Sequence, residues 1–200
     1  MMANDSDDAI IRRPRMTPDR QLELLNVALD GLREVGYQEL SMDLIASRAR
    51  CSKATLYRQW PGKAQMVVAA LYATRPLKAA DTDTGTLRGD LLTMVEQLAA
   101  HAQKATALYA ALGHAVLTND DLAMAVRTSL VEPALPDLMG VIHRAVERGE
   151  LPSWPAAADF LPQLLLGVAI TRPMFDGGVA DADYLTRCVD DALLPALLHS

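Results

Sequence analysis

From Ser41 to Gln59 the chain has room for two short helices and a turn so tight that neither can bury its apolar side except against the other and the helix before them. A second, short helix is expected from Ser41 to about Ala49, and a third from Ser52, whose hydroxyl can cap it, to about Gln59. Ile45, Ala49, Cys51 and Leu56 fall at the inward-facing positions of such a pair, and Ala46 is small where the helices cross. Trp60-Pro61-Gly62 then breaks the chain, because proline lacks an amide proton and disfavours a helical predecessor. The preceding helix is expected to start at Thr17-Pro18-Asp19 and stop at Gly36, with Leu22, Leu25, Leu29, Leu32 and Val35 as its buried stripe. Two short helices closed over a third make a helix-turn-helix pattern.

The rest of the chain also reads as helix, since β-branched and aromatic residues never alternate with polar ones over a strand's length. A fourth helix is expected from about Gly62 to Arg75. The proline, glycine and small polar residues between Pro76 and Gly85 mark a boundary. Beyond it the pattern predicts helices at 86–103, 106–118, 120–149 with a bend at Pro133 and Pro136, 159–175 and 181–197.

A net charge of −6 spread evenly would argue against a nucleic-acid partner, but it is not spread evenly. Residues 12–78 hold 12 Lys/Arg against 6 Asp/Glu, residues 79–200 hold 7 against 16, and residues 1–11 add three aspartates. A basic third joined to an acidic remainder suits a DNA-contacting module carried by a body that needs no phosphate contact. Cys51 and Cys188 lack any ligand spacing, so neither a disulfide framework nor a metal site is expected, and a reducing cytoplasm fits. The Met-Met-Ala-Asn start and the interrupted apolar run at 160–170 predict neither a secretory leader nor a membrane span.

With Leu56 pointing inward and 100° per residue, Ala54 and Arg58 face directly outward from the third helix, flanked by Thr55 and Tyr57. That ridge can enter a major groove. Arg58 can give paired hydrogen bonds to a guanine edge, Thr55 can touch a base or a thymine methyl, and Lys53, Tyr57 and Lys63 can reach phosphates beside the Ser52 cap. Arg12, Arg13 and Arg15 read either as an arm reaching along DNA or as a basic tail.

Ser41-Met42-Asp43-Leu44-Ile45-Ala46, Ser52-Lys53-Ala54-Thr55-Leu56-Tyr57-Arg58-Gln59-Trp60-Pro61 and Lys63, preceded by Gly36-Tyr37, resemble the DNA-binding region of tetracycline-repressor (TetR) type regulators over roughly residues 17 to 65. The resemblance implies that Thr55 and Tyr57 lie in the groove or on its wall and that Lys63 holds a phosphate. It departs at Arg50, where such turns usually carry glycine; the arginine is expected to be strained if the backbone is left-handed there, and its guanidinium is placed to gain a phosphate contact.

The implied architecture is all-α: an arm at 1–16, a helix-turn-helix DNA-binding domain at 17–75 and a helical ligand-binding and dimerisation domain at 76–200. The segment 160–170 is apolar almost all the way round and needs two covers, one from its own domain and one from a twin subunit. Leu161, Leu165, Val168, Leu185, Cys188, Val189 and Ala192 are the residues expected at that interface, and the resemblance points the same way, because the last two helices usually dimerise such repressors. Met94, Leu98, His101, Tyr109, Met139 and His143 are candidates to line a cavity for a small molecule. Without a GxGxxG, P-loop, GxSxG or HExxH pattern, no enzyme and no cofactor is expected. The expected function is a ligand-responsive regulator, a repressor that releases a palindromic operator; an activator or a DNA-binding protein without ligand gating fits the same residues.

Overall fold

In the computed structural model, residues 16–75 and 82–200 are described, with the backbone but not the side chains of 101–107 and 109–111. These residues form an all-α chain. Its helices are α1 (Pro18–Glu39), α2 (Met42–Arg48), α3 (Lys53–Tyr57), α4 (Lys63–Ala73), α5 (Leu87–Thr118), α6 (Asp120–Val126), α7 (Glu132–Glu147), α8 (Leu161–Phe175), α9 (Ala182–Cys188) and α10 (Leu194–His199). The side chains of Thr17, Ser41, Ser52, Thr86, Asn119 and Asp181 accept hydrogen bonds from first-turn amides at the helix starts, so the local sequence dictates where most helices begin. Among the described residues, no helix is long and apolar enough to cross a membrane.

α1 kinks at Gly36, whose φ of +73° lets Leu40 donate back to the Gly36 carbonyl. Its buried stripe is Leu24, Leu25, Ala28, Leu29 and Leu32, whereas Leu22 and Val35, expected inside, are exposed. The helix carries leucines on more than one side, and only its packing on α4 and α5 selects among them. The two helices expected at 86–103 and 106–118 are one helix, α5, because nothing between them stops the ladder: the connecting Lys104-Ala105 are good helix formers, and no glycine or proline intervenes.

The expected bend near Pro133 is a π-helical turn, Arg127–Val131, between α6 and α7. A second π-helical turn, Val189–Leu193, precedes Pro195 at the start of α10. In both places a wider turn comes just before a proline, which offers no amide to the preceding carbonyls.

Among the described residues, the buried apolar side chains form two clusters. One joins α1 to α4 with Leu108, Leu112 and Ala115 of α5 and with Leu122 and Ala125 of α6. The other joins Leu87 to Leu98 of α5 with α7, α8 and the last helices. α5 therefore runs from one core into the other.

A polar cluster ties the start of α5 to the end of α7. Asp90, fully buried, accepts from the Thr84 amide at 2.6 Å and the Thr84 hydroxyl at 2.7 Å, and from Arg148 at 3.3 Å. Arg144 lies 3.8 Å from the same carboxylate and donates to the Thr82 carbonyl. Glu150 accepts from Arg148 at 2.7 Å and from the Leu87 amide at 2.8 Å. A buried carboxylate is tolerable here because its lone pairs are met by donors and its charge by two guanidinium groups.

Candidate nucleic-acid interface

α2 and α3 are short enough that caps and one tight turn set their geometry. Ser41 accepts from the Leu44 amide at 3.2 Å and Ser52 from the Thr55 amide at 3.1 Å, while the Ser52 and Thr55 hydroxyls lie 2.8 Å apart. Between the helices, Cys51 donates its amide to the Ala46 carbonyl at 3.0 Å and Arg50 its amide to Ser47 at 3.2 Å. Arg20, from α1, donates to the Ala49 carbonyl at 2.7 Å. This bond pins the turn from outside. No pattern around Arg20 announced it, because the partner is a backbone atom 29 residues away.

Arg50 holds φ +49° and is the one non-glycine residue with positive φ among the described residues. For an L-residue with a Cβ, that conformation costs about 1 kcal/mol or more.

Leu56 is fully buried beneath α3, and Lys53, Ala54, Tyr57 and Arg58 are exposed, with Thr55 half-buried at the flank. Ile45, Ala46 and Ala49 close the underside. The result is a short exposed ridge on a rigid apolar base, the shape needed to enter a major groove.

Cations around the ridge differ in how they are held. Lys53 pairs with Asp43 at 2.5 Å, a hydrogen-bonded contact that raises the lysine pKa. Arg48 pairs with Glu34 at 2.7 Å, and Arg20 also pairs with Glu23. Lys63, expected at a phosphate, is half-buried and turned inward: its ammonium donates to the Tyr37 carbonyl at 2.7 Å and the Gln38 carbonyl at 3.4 Å and lies 4.2 Å from the centre of the Tyr37 ring. Burial pushes its pKa down. The kink at Gly36 leaves carbonyls at the end of α1 in need of donors, and Lys63 supplies them.

The arginines expected in an arm, Arg12, Arg13 and Arg15, lie outside the described residues.

The description "Bacterial regulatory proteins, tetR family" matches residues 24–70, and "Tetracyclin repressor-like, C-terminal domain" matches residues 81–192. The protein belongs to the TetR family of DNA-binding transcriptional regulators. It is 38% identical over 180 residues to the DNA-binding transcriptional repressor TetR of Mycobacteroides abscessus, covering 88% of this chain and 92% of the relative. An HTH-type transcriptional regulator of Mycobacterium tuberculosis is 35% identical over 181 residues, covering 90% of this chain and 89% of the relative. Two solved structures share the fold of this TetR-family chain. GusR of Salmonella enterica has a TM-score of 0.71 at 20% identity, covering 91% of this chain and 97% of its own. A transcriptional regulator from Pseudomonas aeruginosa has a TM-score of 0.69 at 24% identity, covering 94% of each.

In the C-terminal body of this TetR-family regulator, several expected site residues lie elsewhere than the sequence suggests. Leu161, Leu165, Leu185 and Val189, expected to meet a second subunit, are buried in the core of their own chain. α8 is apolar almost all the way round, so periodicity could not tell its inner face from its outer one. Leu164, Leu166, Met174 and Phe175 of α8, and Phe160 just before it, are exposed, whereas Val168 is half-buried against the core; Cys188 is half-buried and Ala192 exposed. Met94 and Leu98 are buried in packed core, with Met139 half-buried against it. His143 is not in that core. It is exposed, its ring 4.9 Å from Trp154, because α7 turns Leu138, Val141, Ile142 and Ala145 inward instead. The side chains of His101 and Tyr109 lie outside the described residues.

Proposed function

We propose that this regulator is a repressor that binds a palindromic operator as a homodimer and releases it when a small molecule occupies the C-terminal body. The observation that carries the reading is the ridge of Lys53, Ala54, Tyr57 and Arg58 standing exposed over a fully buried Leu56. Arg58 reads a guanine edge, Thr55 and Ala54 meet bases or a thymine methyl, and Lys53 and Tyr57 hold the groove wall, with Ser52 fixing the start of the helix. Lys53 is free to exchange Asp43 for a phosphate, since an exposed ion pair of this kind is worth little in water.

Dimerisation is supported by the accessible apolar surface at α8, where Leu164 and Phe175, with Phe160 just before the helix, expose large apolar surface that a twofold partner would cover. Effector response is supported by the second core, in which Met94, Leu98 and Met139 lie between α5 and α7; thioether side chains repack around irregular apolar ligands. α5 enters both cores, so a ligand that spreads the second shifts the helices on which α1 and α4 rest, and with them the two recognition helices.

Selection of bound sequences from random duplexes tests the reading. A recovered motif with twofold symmetry, bound with an affinity that falls steeply as salt rises, is expected. Recovery of no motif, with no salt-dependent binding, overturns it.

A further inference from the structure

Around the helix-turn-helix, most cations already have acceptors. Arg20, Arg33, Arg48 and Lys53 are ion-paired, Lys63 is bound to the carbonyls of α1, and Arg75 lies against Tyr72 and its carbonyl. Two guanidinium groups in this region have no partner among the described residues: those of Arg50 and Arg58. They bracket α3. Arg58 caps its end, on the outward ridge; Arg50 is exposed in the turn ahead of it and holds its place against a left-handed backbone that glycine would adopt without strain. The turn does not need an arginine for its shape, because the Arg20 bond to the Ala49 carbonyl and the Cys51 bond to Ala46 hold its backbone without the side chain of residue 50. A strained residue whose side chain supports nothing within its own fold points to use outside it.

We infer that Arg50 is a phosphate clamp, a guanidinium that grips a phosphodiester of the bound duplex just ahead of the recognition helix, kept at some expense to the stability of the free protein. The partner is phosphate rather than a base. Base edges are within reach of the outward positions of α3, at Ala54 and Arg58, whereas a side chain leaving the turn meets the wall of the groove. The inference rests on the DNA-binding reading above and adds to it a contact that trades folding stability for affinity.

The test compares the full-length protein with Arg50→Gly and Arg50→Lys, using a duplex selected by the unaltered protein and an unrelated duplex of equal length, across a potassium chloride series. Arg50→Gly is expected to melt at the same temperature as the parent or higher. Its affinity for both duplexes is expected to fall by the same factor, about ten-fold per lost contact, with a salt slope shallower by about one for each protomer bound. Arg50→Lys is expected to retain the slope. Parental affinity and slope in Arg50→Gly overturn the inference. So does a loss confined to the selected duplex, which would mean base reading, or a lowered melting temperature with an affinity loss that Arg50→Lys does not restore, which would mean a structural role. If the parent itself binds neither duplex at any salt concentration, the DNA-binding reading fails as well.

Discussion

Gly36 and Asp90 show how single residues set the geometry on which the interface depends. At Gly36 the backbone is left-handed, with φ +73°, and no neighbouring atom would obstruct a Cβ, so the demand is purely conformational. Gly36→Ala is expected to lower stability by about 1–2 kcal/mol, read as a fall in the urea midpoint at an unchanged slope. An unchanged midpoint would mean that the kink is not required. Asp90 has the opposite problem, a charge out of water whose neighbours were built for it. Asp90→Ala leaves Arg144, Arg148 and the Thr84 amide short of an acceptor and is expected to cost about 2 kcal/mol, the lower end of the range for broken buried pairs because both arginines are about a quarter exposed. Amide hydrogen exchange at residues 82–90 is expected to accelerate in that variant; protection equal to the parent's would remove the cluster's role in fastening α5 to α7. Gly36 was legible from sequence as a helix stop, since only glycine takes that conformation freely. Asp90 was not, because its donors come from segments 6, 54 and 58 residues away.

At the scale of elements, caps and breakers were the legible features, and faces were not. The serine and threonine caps and the glycine and proline stops act within a few residues of themselves, so the starts of α1 to α4 follow from local chemistry. α3 was also legible by face, because its one large aliphatic residue, Leu56, leaves one choice of inward side. α8 offers no such asymmetry. Its inner and outer sides are separated by variants one residue apart: Leu165→Asp places a charge in the core and is expected to cost about 4 kcal/mol or more, unfolding the body. Leu164→Asp, on the exposed side, is expected to keep its helical circular dichroism while shifting the protein from dimer to monomer in sedimentation. A Leu164→Asp protein that remains dimeric would move the interface to another face.

At the scale of the whole molecule, α5 is the element shared by both cores: it contributes Leu87 to Leu98 to one and Leu108 to Ala115 to the other. Proline at the exposed Ala100 would remove the amide that bonds to the Glu96 carbonyl and is expected to cost about 3 kcal/mol. Calorimetry is expected to resolve two transitions in Ala100→Pro where the parent shows one; a single transition at a lowered temperature would mean that the cores are coupled by other helices. By itself the sequence determined the helical class, the position of the helix-turn-helix and the residues of its exposed ridge, because caps, breakers and a single apolar anchor act over one or two turns of chain. Tertiary structure alone decided which side of α8 is free, that His143 lies outside the second core, that Lys63 closes α1, and that Arg20 pins the turn beneath Arg50. Each of these depends on which distant surface or backbone atom comes within reach, and no local pattern of residues encodes that distance.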